Sequence, residues 1–194
     1  MHFVKDYTYH VYNRSNELLF YSDENYEFFL KKIEKFILPY CDILAWCLLP
    51  NHFHILLVVN SEGAKLVNEK HRNETQILSK NIGIALSSYT QAINKTRKRK
   101  GSLFAHRTIA KALNLRDNRY IEVCFNYIHQ NPCISGLVSK PADWKFSSHR
   151  DFINLREESL VNTDLAAQMI NFNIHDFVNF SNGIRDEQLI RGIF

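Results

Sequence analysis

Asp42-Ile43-Leu44-Ala45-Trp46-Cys47-Leu48-Leu49-Pro50-Asn51-His52-Phe53-His54-Ile55-Leu56-Leu57-Val58-Val59 is the stretch that decides the fold. Two continuous apolar runs, Asp42 to Leu49 and His52 to Val59, are hinged at Pro50 and Asn51. Runs of that length around a turn dipeptide predict an antiparallel hairpin covered on both faces. Upstream, the β-formers of Tyr7 to Asn13 predict a first strand. Between them Ser22 and Asp23 can cap a helix, and Tyr26, Phe29, Leu30, Ile33, Phe36 and Ile37 recur at spacings of three and four up to Pro39, the pattern of an amphipathic helix.

Downstream, the polar stretch Ser61 to Thr75 predicts a mobile loop. Ile82, Leu86, Tyr89 and Ile93 then mark one face of a second long helix, which Gly101 is expected to close. Leu103 to Ala110 is a candidate strand. Asp117 or Asn118 would cap a third helix with the stripe Ile121, Cys124, Phe125 and Ile128, and Pro132 is its expected end. Past Gly136 the chain turns polar and irregular, with Trp144 and Phe146 as anchors and weak helical signals beyond. The order strand, helix, strand, strand, helix, strand, helix describes an α+β fold with an antiparallel sheet and packed helices.

Composition agrees with a folded domain. The 194 residues are 45% hydrophobic and 23% charged, with only 6 Gly and 4 Pro, which excludes disordered and collagen-like classes. No apolar run approaches the ~20 residues of a membrane span. Met1 to Tyr12 lacks a basic stretch followed by an apolar one, so the cytoplasm is the expected location. Cys41, Cys47, Cys124 and Cys133 include no C-x-x-C pair and are expected to be reduced. The formal charge is +4, but Lys95, Arg97, Lys98, Arg99 and Lys100 crowd five cations into six positions. Such a cluster either attracts a polyanion or complements a helix C-terminus.

Two constellations carry chemistry. His52 and His54 alternate along a strand and share a face, with Phe53 on the other. Two adjacent imidazoles are half of a metal site, or a hydrogen-bonded pair without metal; a zinc site recruiting Cys47 lacks a fourth ligand at a recognisable spacing. In the third helix Tyr127 and Asn131 lie roughly 40° apart at about 100° per residue and border the core. There the phenol can act as a nucleophile and the amide oxygen as a ligand, or the pair can be an ordinary core-boundary Tyr and a helix-ending Asn. Gln130 points to the solvent side and is the poorer ligand candidate.

Four ordered motifs bear a resemblance. They are His10-Val11-Tyr12-Asn13-Arg14-Ser15-Asn16, Ala45-Trp46-Cys47-Leu48-Leu49-Pro50-Asn51-His52-Phe53-His54, Tyr127-Ile128-His129-Gln130-Asn131-Pro132 followed by Gly136-Leu137-Val138, and Trp144-Lys145-Phe146-Ser147-Ser148. Together they resemble the signatures of the single-tyrosine HUH transposases, and most closely the REP-associated tyrosine transposase branch, also called transposase-like proteins. The resemblance spans about Tyr7 to Phe152. It implies a domain over residues 1–152, with 153–194 as an extension of unknown role, and a ferredoxin-like or RRM-like antiparallel sheet with helices packed on one face.

The same resemblance implies a metal-dependent endonuclease, usually dimeric, that cleaves and rejoins single-stranded DNA beside a hairpin through a 5′-phosphotyrosine. His52 and His54 match the metal-binding pair, Asn131 falls where the third ligand stands, and Tyr127 matches the nucleophile. Mn²⁺ or Mg²⁺ is the expected ion, DNA the expected partner, and nucleoid-associated cytoplasm the location. Arg14, Lys95, Arg97, Lys98, Arg99, Lys100 and Arg107 are then candidate phosphate contacts. Leu49 replaces a more usual methionine, and Cys133-Ile134-Ser135 replaces a Val-Lys/Arg-Ala stretch, removing a cation. A non-catalytic nucleic-acid-binding protein of the same fold is the alternative reading, and a metal-dependent hydrolase of another substrate is the third.

Overall fold

A computed structural model describes residues 1–68, 75–105, 107–113 and 118–182. Its strands are β1 (Thr8–Arg14), β2 (Cys41–Leu49), β3 (His52–Val59) and β4 (Ile109–Ala112). Its helices are α1 (Asp23–Phe36), α2 (Ser61–Ala64), α3 (Ile77–Arg97), α4 (Asn118–Ile134), α5 (His149–Phe152), α6 (Thr163–Ile170) and α7 (Phe177–Ser181). The sheet is antiparallel throughout in the order β2-β3-β1-β4. With α1 and α3 as its two connecting helices this is the ferredoxin-like arrangement.

The β2–β3 hairpin forms as its apolar continuity predicts. It runs from Cys41↔Val59 to Leu49↔His52, with Pro50 and Asn51 as the turn and an irregularity between Ile43 and Ala45. Register sorts the side chains, because cross-strand partners share a face. Tyr12 and Cys47 both stand opposite His54, and Arg14 and Leu49 opposite His52. Phe53 and its partner Leu48 project from the other face, where the Phe29 ring of α1 lies 5.4 Å from Phe53 and 4.9 Å from Tyr89 of α3. The expected stripe of α3 is buried, and the Tyr89 hydroxyl donates to the Leu19 carbonyl. While α1 and α3 keep to one face, α4 folds back over the histidine face of its own chain.

Local outcomes differ from the sequence reading at four places. β4 is Ile109–Ala112 instead of Leu103 to Ala110, because Leu103 and Phe104 turn inward as buried plugs. α3 closes at Lys98, whose left-handed backbone (φ 52°) ends the helix before Gly101. α4 runs through Pro132 to Ile134. A proline costs one hydrogen bond there, while Ser135, Gly136 and Leu137 donate back to Asn131, Cys133 and Pro132, and Gly136 takes the positive φ of 69° that terminates the helix. Within the expected loop, Ser61–Ala64 forms a helical turn whose Gly63 N–H donates to the Asn60 side chain; residues 69–74 lie outside the described residues, as does Asp117.

Gly63 is required by space, since a Cβ there would sit 2.2 Å from the Tyr40 carbonyl oxygen. Gly63→Ala is expected to lower stability by about 1–3 kcal/mol, the usual cost of overpacking, despite alanine's better helix propensity. Urea unfolding checks this; an unchanged midpoint would mean the two backbones can part freely.

Beyond α4 the chain returns to β2. Leu48 N–H donates to Phe146 O, Trp144 Nε1 donates to Leu48 O, and Phe146 stacks on Tyr26, so both expected anchors hold. Behind α4, Phe125 is ringed by Phe152, Phe172, Phe177 and Phe180. Gln130, expected on the solvent side, is instead buried and donates to the Ser181 carbonyl, because the segment after α6 packs over that side of α4, and His129 Nε2 meets Ser148 Oγ at 2.8 Å. These contacts fix the helix that carries Tyr127 against the sheet. Among the described residues no helix is long and apolar enough to cross a membrane.

Candidate active site

The turn at Asn51 starts β3, so His52 and His54 emerge at the end of the sheet on the face under α4. Their rings lie 5.1 Å apart and nearly perpendicular. One helical turn separates Tyr127 from Asn131 on α4, and both face this end of the strand. The Tyr127 ring stands 5.7 Å from that of His54, edge to face. The Asn131 amide lies close enough to both the His52 ring and the Tyr127 hydroxyl to act on their protonation. One chain thus brings together all four residues that the motifs single out. A cleft of about 410 Å³ opens over them, lined by Tyr12, Asn13, Arg14, Asn51, His52, His54 and Tyr127.

Burial sets the protonation states. Desolvation, with Arg14 nearby, holds His52 below the usual imidazole range, although Asn131 pulls the other way. Full burial, helped by the neighbouring His10 and His52, holds His54 well below it. Both rings are therefore neutral at neutral pH, the form that coordinates a cation. Burial pushes the Tyr127 phenol up, opposed by the nearby Asn131 amide, so it enters any reaction as a phenol.

The donor set fits a divalent ion. Two neutral imidazoles and an amide oxygen, with water completing the shell, suit Mn²⁺ and are acceptable to Mg²⁺. The Asn131 amide supports this assignment. Its Oδ1 accepts from Ser135 Oγ at 3.1 Å, while its buried Nδ2 has no hydrogen-bond partner among the described residues. Turning the amide over lets Nδ2 donate to Ser135 and places Oδ1 at the buried, unpartnered position, where it can serve as a ligand. Cys47 is a poor zinc ligand, since complete burial pushes its thiol far up. Among the described residues no three His, Cys, Asp or Glu side chains group as metal ligands.

The basic residues divide. Arg14 lines the cleft, and Arg107 is exposed on the segment where Ala105 N–H donates to the Arg14 carbonyl. At the end of α3, Arg97 lies over the Tyr21 ring and Arg99 pairs with Glu17. Glu17 in turn lines a groove shared with Asn51 and His52. Lys95, Lys98 and Lys100 are exposed. The cluster therefore flanks the site and does not enter it. Sequence reasoning assigned only Arg14 from the first strand, yet Tyr12 lines the cleft and His10 meets His54. The missing signal was register: His10, Tyr12 and Arg14 share a face with the histidines only because β1 pairs with β3 as it does.

No model of a known protein family matches the chain, and no curated protein matches it. Among solved structures it is similar to a REP-associated tyrosine transposase bound to a REP hairpin, with a TM-score of 0.60 over 82% of this chain and 87% of that one at 18% identity. The chain has that transposase's fold. The ferredoxin-like sheet implied by the motifs is therefore found twice, in the strand order and in this transposase fold. At that identity the likeness concerns the scaffold, and the transposase fold leaves the chemistry to be argued from the cleft.

Proposed function

We propose that this protein is a metal-dependent endonuclease that cleaves and rejoins single-stranded DNA through a tyrosine–DNA link, beside a hairpin. The observation that carries the reading is the convergence of Tyr127 on His52, His54 and Asn131 within one chain. The basic flank and the DNA hairpin held by the structurally similar transposase support DNA as the substrate.

In this reading Tyr127 Oη attacks a phosphodiester phosphorus. The new O–P bond links tyrosine to the 5′ side of the downstream strand, the bond from phosphorus to the 3′ oxygen breaks, and the departing 3′ oxygen takes up a proton as the phenol loses one. Transesterification conserves the phosphodiester, so the released 3′-hydroxyl can reverse the step without ATP. His52, His54 and Asn131 would hold a divalent ion, which supplies charge neutralisation at the scissile phosphate. Arg14, on the cleft wall, would hold a neighbouring phosphate. Packing of α4 against its own sheet orients the phenol.

The test uses a DNA hairpin with random single-stranded flanks, labelled at either end, with Mn²⁺. The 3′-labelled strand is expected to become protein-linked in denaturing gels and the 5′-labelled strand to be released free, with both products lost on adding EDTA. Salt-sensitive binding with no adduct would favour the non-catalytic alternative, and free products without an adduct would favour a hydrolase.

A further inference from the structure

Each of the two imidazoles has its Nδ1 engaged by a neighbour. His52 Nδ1 lies 2.7 Å from Asn51 Oδ1, and His54 Nδ1 lies 2.9 Å from His10 Nε2. With the Asn51 oxygen turned to the ring there is no proton on the amide side to give, so the hydrogen in the first bond belongs to His52, and the lone pair of its neutral ring is on Nε2. The second bond joins two imidazoles, and its direction decides what His54 can do. If His10 donated, the proton of neutral His54 would sit on Nε2 and shut that nitrogen to a cation. If His54 donates, Nε2 carries the lone pair.

The metal reading of this site requires the second arrangement, and the fold allows it. His10 pairs with Leu56 on β3, two residues beyond the Tyr12↔His54 pair, on the same face and on the side away from His52. It therefore takes the nitrogen of His54 that faces away from the other ligand, and Nε2 is the nitrogen facing the cleft. His10 is fully buried, stacked on both Tyr12 and His54, so its ring has one place to be. We infer that His10 and Asn51 are positioning residues that hold His54 and His52 in the Nδ1-protonated tautomer, with both Nε2 lone pairs presented to one cation. Partners of this kind around metal-bound histidines typically account for about 10–100-fold in affinity. The inference rests on the metal reading of this site, and its test separates the two.

Long-range ¹H–¹⁵N correlation on the metal-free, DNA-free protein reads the tautomers directly. Both rings are expected with the proton on Nδ1; a proton on Nε2 of His54 would overturn the assignment. Mn²⁺ titration followed by electron paramagnetic resonance gives the second readout. Asn51→Ala, in a partly exposed turn, is expected to weaken Mn²⁺ about 10–100-fold and Asn51→Asp to retain it, as is His10→Gln against His10→Phe. Asn51→Ala binding Mn²⁺ like wild type would overturn the role of Asn51 whether or not the buried His10 variants fold, and a folded His10→Phe doing so would overturn that of His10. Wild-type protein that shows both tautomers yet binds no Mn²⁺ would overturn the metal reading and leave the tautomer assignment standing.

Discussion

Tyr127→Phe is expected to abolish the covalent protein–DNA adduct, a loss of more than about 1000-fold of the kind seen when a nucleophile is removed, while hairpin binding stays within a few-fold of wild type. The substitution removes one oxygen and keeps the ring that packs against His54, so the fold should survive. A control is needed because the cleft holds a second phenol. The Tyr12 ring lies 5.9 Å from His54, close to the 5.7 Å of Tyr127. Two features separate them: Tyr12 is stacked on His10, and Asn131 reaches Tyr127. Tyr12→Phe should therefore keep the adduct. An adduct that survives Tyr127→Phe and disappears in Tyr12→Phe would move the nucleophile to β1.

The second large effect is on stability in acid. Burial holds His54 and His129 well below the ordinary histidine value and His149 down at about 4. Each is neutral in the folded chain and titrates near 6.5 in the unfolded one. Below pH 6.5 the unfolded chain binds three protons that the folded chain refuses, so stability falls as pH drops. Asp151 works the other way. Burial pushes its carboxyl up to about 7 against the pull of Arg156, so it takes its proton in the folded state over the same window and offsets one of the three. A net difference of two protons gives a slope of about 2.7 kcal/mol per pH unit. Between pH 6.5 and 5, as the unfolded rings charge and this slope is approached, the loss sums to about 3 kcal/mol of the ~5–15 kcal/mol holding a typical domain together. Urea midpoints measured across this range should fall steeply. A flat profile would show that these rings accept protons where they lie.

Sequence and structure agree most where a pattern spans many residues. The hairpin was legible because nothing but a two-faced buried ladder suits Asp42 to Val59, and α1 and α3 because their stripes repeat over several turns. That His52 and His54 share a face followed from strand alternation, and that Tyr127 and Asn131 do from helical spacing, while their proposed roles came from the resemblance. Single-residue events were hidden. Leu103 and Phe104 look like strand residues but plug the core, and Lys98 ends α3 in a conformation any reader would have reserved for Gly101. Phe172 follows α6 while Phe177 and Phe180 share the five-residue α7, too short a stretch to show a period, although together they surround Phe125. His10 and Asn51 could be found only once the β1–β3 register and the turn were in place.

The return of α4 over its own sheet has a consequence for mixtures. In the proposed reading every copy owns a whole set of working parts, so blending intact chains with copies lacking the phenol should dilute the reaction in simple proportion. A steeper fall, or activity regained on mixing two differently damaged chains, would show that copies share those parts.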